Sequence, residues 1–298
     1  MGKTNAALPA LALVFNAFVW GVSWWPFRAL QSQGLHPLWA TALVFLVSLA
    51  CLVALKPQAW RGFLQQPLLW LLMLAAGLTN VGFNWAVTVG DVVRVVLLFY
   101  LMPAWTALLA WPLLGEKPTP LSLLRMALAL AGVSVVLMTG EAAWPVPESL
   151  ADWLALMGGF SFALTNILLR KLSHMPAQAR LAMFGGGALM ATAAALLGMA
   201  LGVVPAPAGL QINGAAIVLV LSLGFLLSNM ALQYGAARLT AHATALIMLS
   251  EVLFASVSSV MAGAAELTLR TWIGGALILA AAAWSAWPGA PVRSDSTK

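Results

Sequence analysis

Charge is what this sequence lacks most. Only 7% of its 298 residues are charged and 62% are hydrophobic, whereas soluble domains carry about 25% charged residues. A chain with so few polar side chains cannot cover a water-facing surface, which excludes a soluble protein. We therefore expect a lipid environment. The net charge of +6 then reflects basic residues that orient membrane helices, and no nucleic acid partner is expected.

Cysteine and histidine are also scarce. The single cysteine, Cys51, excludes an intrachain disulfide, and the three histidines fall toward the ends of hydrophobic segments. The chain has no HExxH or GxSxG motif, no P-loop and no Gly-rich dinucleotide fingerprint. We therefore expect no enzyme, no metal site and no cofactor.

Long hydrophobic runs make up most of the chain. About 20 apolar residues cross the hydrocarbon core as a helix, and breaks at proline, glycine and charge separate ten such runs. The first run begins near Leu8 and is predicted to be a membrane helix, not a cleaved signal peptide. The predicted spans are 8–30, 38–55, 68–88, 92–114, 121–139, 152–172, 180–203, 212–234, 240–263 and 270–287.

The basic residues predict the orientation of these spans. With the N-terminus in the cytoplasm, every lysine and arginine except Arg28, Arg94 and Arg270 falls on the inner side, as the positive-inside rule requires. We expect a multi-pass protein of the bacterial inner membrane with both termini in the cytoplasm. The sequence leaves the oligomeric state open and is compatible with a monomer.

The two halves of the chain resemble each other. The segment WGVSWWPFR (20–28) aligns with FALTNILLR (162–170), and both end in arginine. The segment NWAVTVG (84–90) shares Asn and Gly at the same spacing with NMALQYG (229–235). Downstream, 91–103 aligns with 240–252, and a glutamate follows the next helix end in both halves. Five spans per half make the second copy enter the membrane from the opposite side.

Inverted repeats of this kind are typical of secondary transporters, whose site lies near mid-membrane between the halves. The fold expected is an all-α integral membrane protein of ten transmembrane helices, arranged as two inverted five-helix repeats around a central cavity. The repeats are 1–145 and 146–298. Duplication for structural reasons alone, a channel and an intramembrane enzyme are the alternatives.

Several short motifs carry a family resemblance. WG in the first span, the proline of LMPAW (101–105), the GE that follows that span and SEV (250–252) resemble the EamA-type branch of the drug/metabolite transporter superfamily. The Trp-rich first span and the YLMP segment most resemble YddG-type aromatic amino-acid exporters. The resemblance covers nearly the whole chain and implies a ten-helix basket, cytoplasmic termini and export of small metabolites. One departure is Val252, which stands where the first half has Pro103.

Polar and aromatic residues inside the spans are the candidates for substrate binding. Asn80, Asn84 and Thr88 form a polar stripe on one predicted helix, and Asn84 matches Asn229 under the repeat. A buried amide needs a partner, which is either a neighbouring helix or a substrate. The aromatic residues form either a lipid-facing surface or the wall of an apolar cavity. The predicted substrate-binding residues are Trp20, Trp24, Asn80, Asn84, Tyr100, Met102, Trp105, Phe162, Asn166 and Asn229.

Four further residues are candidates for coupling or gating. Glu251 is the only carboxylate near mid-membrane; it is either a proton-coupling site, a contact for a substrate ammonium group, or a protonated carboxyl bonded within the bundle. Arg94 forms an i, i+3 ion pair with Asp91, acts as a gate latch, or attracts a substrate carboxylate. Pro26 and Pro103 interrupt helix hydrogen bonds and are either tolerated kinks or hinges.

The predicted function follows from this lining. An aromatic cavity suits the export of small amphipathic metabolites, above all aromatic or neutral amino acids, by alternating access. A multidrug or organic-cation exporter of the same architecture is the alternative, because aromatic rings also attract planar cations. The expected partners are a small-molecule substrate and the lipid bilayer.

Overall fold

The computed structural model describes residues 7–61, 63–115, 119–138, 146–207, 209, 211–239, 244 and 247–286. Within these ranges the chain forms twelve α-helices and one 3₁₀ turn (Pro57–Trp60), and it forms no strand. The helices are α1 (Ala7–Val22), α2 (Trp24–Ser32), α3 (Pro37–Leu55), α4 (Pro67–Val89), α5 (Val92–Phe99), α6 (Met102–Leu114), α7 (Pro120–Leu137), α8 (Leu150–Lys171), α9 (Pro176–Ala200), α10 (Ile212–Ala236), α11 (Ser250–Met261) and α12 (Leu269–Ala286).

Eight helical stretches are long and apolar enough to cross a membrane. They are Ala7–Ser32, Pro37–Leu55, Pro67–Val89, Val92–Leu114, Pro120–Leu137, Leu150–Lys171, Pro176–Ala200 and Ile212–Ala236. Ser250–Met261 and Leu269–Trp284 form shorter apolar helices, and much of the beginning of the predicted ninth span lies outside the described residues. The prediction of an all-helical, multi-pass chain is therefore confirmed for the described residues, and the count of ten spans stays a prediction.

The helix starts follow from local chemistry. Proline stands in the first turn of α3, α4, α7 and α9, where the missing N–H costs nothing. The side chains of His36, Asp91, Thr119 and Ser149 accept a backbone N–H of the following helix. Ser149 and Asp152 form a full capping box at the start of α8, which satisfies two N–H groups that a membrane would leave unpaired.

Two of the eight candidate spans are broken, and a third break precedes α11. The first span breaks at Ser23, whose N–H and Oγ both donate to the Trp20 carbonyl, at 3.2 and 2.8 Å. Pro26 lies in the first turn of α2, just after this break. The fourth span breaks at Tyr100 and Leu101, immediately before Pro103, and α11 begins after a turn at Leu249.

The two halves of the chain interleave. The most extensive helix packing joins α4 to α8 and α9, α3 to α9, α7 to α12, and α1 to α10 and α11. Each of these pairs takes one helix from before residue 139 and one from after residue 145. Polar bonds follow the same pattern: Asn16 Nδ2 donates to the Ser228 carbonyl at 3.0 Å, and Ser222 Oγ donates to the Val44 carbonyl at 3.0 Å. Neither half therefore buries its apolar surface by itself.

Several backbone features recur in the two halves of the chain. Gly115 and Gly263 follow α6 and α11 and have φ angles of 74° and 65°, the left-handed conformation that commonly ends a helix. The breaks at Tyr100 and Leu249 fall at positions that the sequence match pairs.

Close glycine contacts recur in the same way. A Cβ atom on Gly90 would lie 2.5 Å from that of Ala151, and one on Gly235 would lie 2.8 Å from the carbonyl oxygen of Pro9. Gly90 matches Gly235 in the sequence, and the register that pairs Trp20 with Phe162 also pairs Pro9 with Ala151. Two related contacts thus stand at the C-terminal ends of α4 and α10.

The packing of α4 on α9 gives a test of the fold. A Cβ atom on Gly186 of α9 would overlap the backbone carbonyl of Met73 on α4, so Gly186→Ala forces the two helices apart. We expect a loss of about 1–3 kcal/mol, the usual cost of overpacking, and a lower thermal unfolding midpoint in detergent.

Gly224→Ala in α10 is the matched control, because its Cβ would meet only Val19 Cγ1, at 3.7 Å. An equal midpoint for the two variants would contradict the close approach of α4 and α9.

Candidate functional site

A cavity of about 670 Å³ lies among α1, α4, α8, α10 and the breaks before α6 and α11. On α8 and α10 its lining reaches the last turns, at Arg170 and Ala236, both of which are exposed. We call this end of the bundle, where α8 and α10 finish and α1 begins, the Arg170 end. The opposite end, where α2 and α4 finish and α8 begins, is the Arg28 end. The cavity opens at the Arg170 end.

Nine of the fourteen predicted site residues line this cavity. They are Trp20, Asn80, Tyr100, Met102, Pro103, Phe162, Asn166, Asn229 and Glu251. The structure brings them together from six helices and the Tyr100 turn, although they are spread over more than 230 positions of the sequence. Their role in binding stays a prediction.

Aromatic rings form a layer at the deep end of the cavity. The Trp20 ring stacks on Phe225, with centroids 4.3 Å apart, and meets Phe83 edge-on at 6.0 Å. The Phe99 ring joins this set, 4.9 Å from Phe83 and 5.4 Å from Phe162. Trp20, Phe83, Phe99 and Phe162 all line the cavity, so its floor is aromatic.

Glu251 lies where two helix breaks meet. The Tyr100 hydroxyl is 3.2 Å from Glu251 Oε2 and 3.0 Å from the Met248 carbonyl oxygen. The turn at Leu249 redirects the Val252 N–H to the Leu249 carbonyl, at 3.2 Å. Both Tyr100 and Glu251 are buried, and no described lysine or arginine lies within salt-bridge distance of Glu251. The cavity thus holds a carboxylate whose bonding partner is a hydroxyl and not a fixed cation.

The amides on the wall are partly committed to the protein. Asn80 Nδ2 donates to the Ala76 carbonyl of its own helix at 2.9 Å, and Asn229 Oδ1 accepts from Gln233 Nε2 at 2.9 Å. Asn166 is exposed at the open end. An amide keeps further donor and acceptor capacity after one bond, so these three side chains can contact a polar solute.

Sequence reasoning missed several lining residues. Asn16, Thr79, Phe83, Phe99, Thr165, Arg170 and Thr244 line the cavity but were not predicted as site residues. Asn16 stands four positions before Trp20, so helical spacing was the available signal for it. Thr165 Oγ1 is buried and has no partner among the described residues. Isolated threonines of this kind carry no sequence signal.

Trp24 does not line the cavity, contrary to the expectation that one continuous face of the first span would, and Pro26, predicted as a kink or hinge, also lies outside the lining. The helix breaks at Ser23, and the new helix α2 turns Trp24 toward α11. There its Nε1 donates to Ser258 Oγ at 3.0 Å. The spacing argument assumed an unbroken helix and was wrong beyond that break.

Asn84 and Trp105 also lie outside the cavity wall. Asn84 is fully buried, and neither atom of its amide has a partner among the described residues. It lies one residue beyond Phe83 toward the Arg28 end, past the aromatic floor, so the expectation that Asn84 and Asn229 face one cavity is not met. The Trp105 ring turns away to Phe160, with centroids 5.6 Å apart.

Arg94 makes an ion pair across the halves and not with Asp91. Its Nε and Nη2 donate to the two carboxylate oxygens of Asp152, at 2.8 and 2.9 Å, and Nη1 donates to the Val136 carbonyl at 2.7 Å. Asp91 instead caps α5 by accepting the Arg94 N–H at 2.8 Å. The predicted i, i+3 ion pair was therefore wrong, because helix capping occupies Asp91. Arg94 fastens α5 to α8 at the Arg28 end.

The described residues define a class: an all-helical, multi-pass membrane protein with a central cavity open at one end. Residues 7–138, a little under half of the chain, match the EamA-like transporter family, so the first half of the chain is similar to members of that family. This match favours a membrane transporter of small molecules over an enzyme.

The fold itself occurs among solved structures, of which 15 chains match. One, described only as "Crystal structure of protein", aligns with 95% of this chain and 96% of its own, at 18% identity and a TM-score of 0.59. At that identity the likeness concerns the fold alone. No curated protein matches the sequence.

The ion pair at the Arg28 end gives a second test. Arg94→Met leaves the buried Asp152 carboxylate without its cation, and Asp152→Asn leaves Arg94 without its anion. We expect each to cost about 3 kcal/mol and the double variant to cost less than the sum, with a coupling energy of about 1–3 kcal/mol.

Unfolding midpoints of the three variants in detergent measure the coupling. Arg270→Ala is the control, since this exposed side chain at the same end donates to the Met138 carbonyl and forms no described ion pair. Strictly additive losses would contradict the pairing.

Proposed function

We propose that the protein is a secondary transporter in which two inverted five-helix repeats, 1–145 and 146–298, enclose the cavity and expose it alternately at its two ends. The matched breaks, the left-handed glycines that follow α6 and α11, and the paired contacts Gly90–Ala151 and Gly235–Pro9 support the repeat. These contacts stand at opposite ends of the bundle, as inversion requires. Residues 139–145, at the proposed boundary, lie outside the described residues.

The observation that carries the proposal is the one-ended cavity. Its lining extends from the aromatic floor to the Arg170 end, while bonds of Trp24, Arg28 and Arg94 join the helices at the Arg28 end. A channel would need a continuous path through both ends. A carrier needs a site that is closed at one end at a time, which is the arrangement found.

The basic residues orient this carrier in the bacterial inner membrane with both termini in the cytoplasm. Because α1 begins at the Arg170 end, that end faces the cytoplasm in this orientation. The cavity would then receive its solute from the cytoplasm, which is the direction that export requires.

The substrates proposed are aromatic or neutral amino acids. The aromatic floor suits an apolar side chain, the Glu251 carboxylate suits the α-ammonium group, and the amides of Asn166 and Asn229 can donate to the α-carboxylate. A cavity of about 670 Å³ falls within the usual range for small-molecule sites, about 300–1,000 Å³. The proposal includes a YddG-type specificity, and its support is the Trp-rich first span and the YLMP segment.

An organic-cation or multidrug exporter is the second candidate, and the same carboxylate favours it. A buried Glu251 that has no cationic partner among the described residues, next to a layer of rings, also suits a planar cation. The two candidates differ in whether the solute needs a carboxylate.

Proteoliposome counterflow separates the candidates. We expect saturable exchange of labelled Phe or Trp, competed by other neutral amino acids and not by their decarboxylated amines, because the wall offers amide donors for the carboxylate. Uptake of organic cations alone would favour the second candidate. Absence of exchange for both groups would contradict the proposed substrates.

Glu251 is the residue proposed to couple transport to a proton gradient. Glu251→Gln keeps the size and the bond to Tyr100 but cannot release a proton, so we expect gradient-driven accumulation to be lost while substrate exchange remains. Both are measured in proteoliposomes with and without an imposed pH difference.

Glu266→Gln is the matched control, because it makes the same chemical change at an exposed carboxylate outside the cavity. Accumulation by Glu251→Gln at the rate of this control would remove Glu251 from coupling.

A further inference from the structure

Arg28 fastens three segments together at the closed end. Its Nε donates to the Val87 carbonyl at 3.2 Å, Nη2 donates to the Gly90 carbonyl, and Nη1 donates to the Ala264 carbonyl at 3.4 Å. The guanidinium carbon also lies 5.3 Å from the Trp24 ring centroid. Arg28 thus binds the last turn of α4 and the segment after α11.

Carbonyls at a helix C-terminus have no partner within the helix, and they carry the negative end of the helix dipole. In a bilayer such groups must be satisfied by protein. The guanidinium of an arginine can donate to two such carbonyls at once. Because Arg28 belongs to α2, it stabilises the end of α4 only while α2 packs against α4.

Arg170 is the counterpart of Arg28 under the repeat. It ends FALTNILLR as Arg28 ends WGVSWWPFR, and Asn166 stands where Trp24 does. The carbonyls that Arg28 binds, at Val87 and Gly90, correspond to those of Leu232 and Gly235 in α10.

At the Arg170 end these counterparts stand around an opening. Arg170, Asn166 and Leu232 all line the cavity there, and Arg170 and Asn166 are exposed. At the closed end the arginine thus lies against the end of the neighbouring helix, whereas at the open end the equivalent arginine is exposed on the rim of the cavity.

We propose that Arg170 closes the Arg170 end: when the cavity opens at the Arg28 end, its guanidinium donates to the carbonyls of Leu232 and Gly235 in the last turn of α10, as Arg28 now donates to those of Val87 and Gly90. This inference rests on the proposed inverted-repeat carrier. The Gly235 carbonyl already accepts the N–H groups of Arg238 and Leu239, at 3.0 Å each. The turn after α10 therefore rearranges during closure.

Disulfide trapping measures closure directly and needs no substrate. In a Cys51→Ala background, Asn166→Cys and Ala236→Cys place two thiols on the α8 and α10 sides of the opening, and the rate of their oxidative cross-linking in detergent follows the closed population. Adding Arg170→Ala should slow cross-linking by at least about tenfold, the effect of losing even one of the two charge-assisted hydrogen bonds. Adding Arg28→Ala should accelerate it by a similar factor, because release of the other end favours closure here.

Two variants distinguish the bonds of the guanidinium to two carbonyls from the effect of positive charge alone. Arg170→Lys keeps the charge but cannot reach both carbonyls, so it should cross-link nearly as slowly as Arg170→Ala. Lys171→Ala removes an exposed cation from the same helix end and should change nothing. Full-rate cross-linking of either Arg170 variant, or no acceleration by Arg28→Ala, would overturn the proposal. If Arg28→Ala does not fold, the two Arg170 variants decide.

The cross-linking result is separable from the substrate. If Arg170→Ala cross-links slowly but the protein exchanges no amino acid in counterflow, the role of Arg170 in closure is supported and the proposed substrate is rejected. Normal cross-linking in a protein that exchanges Phe would reject the gate and keep the transporter.

Discussion

The need to satisfy backbone polar groups without water shapes this bundle more than any other constraint. A helix in lipid satisfies its own N–H and C=O groups, but each break and each helix end leaves some without partners. Here side chains from other helices supply several of them, two across the halves and two within the first half. Tyr100 donates to the Met248 carbonyl, Arg28 to those of Val87 and Gly90, Arg94 to that of Val136, and Asn16 to that of Ser228. The first three of these sit at a helix break or a helix end.

This constraint explains why the cavity lies where it does. The breaks before α6 and α11 cannot face lipid, so they face each other, and the Tyr100 hydroxyl bridges them. The same turn places Glu251 within reach of Tyr100, away from acyl chains. An interior that tolerates broken helices is thus also the interior that tolerates a carboxylate, because both require polar groups or a water-accessible cavity around them. The functional chemistry and the structural irregularity occur together for one physical reason.

Much of the fold was predictable because a lipid environment restricts spanning segments to long apolar helices whose backbone groups are all hydrogen-bonded. Hydrophobic length and proline at helix starts located eight of the ten predicted spans to within a few residues, as for Val92–Leu114. Side-chain direction was less predictable. Helical spacing assigned Trp24 to the cavity, but the break at Ser23 redirects it. Asn84 lies past the aromatic floor of the cavity. The position of this floor depends on which aromatic rings from different helices contact one another, and helical spacing does not predict those contacts. Arg94 was paired with its neighbour in sequence, whereas its partner Asp152 comes from a helix 58 positions away.

The two ends of the bundle are related but not equivalent. The Arg28 end has the Arg94–Asp152 ion pair. Under the registers that pair the halves, alanines, Ala243 and Ala10, stand in place of Arg94 and Asp152. The first span is broken before its arginine, whereas its counterpart α8 is continuous from Leu150 to Lys171. Under the proposed alternating access, closing the Arg28 end makes an ion pair, and the sequence has alanines at both matching positions of the Arg170 end. For a carrier with these repeats, the empty protein would rest open at the Arg170 end, and a solute drives the change only by its difference in affinity for the two states.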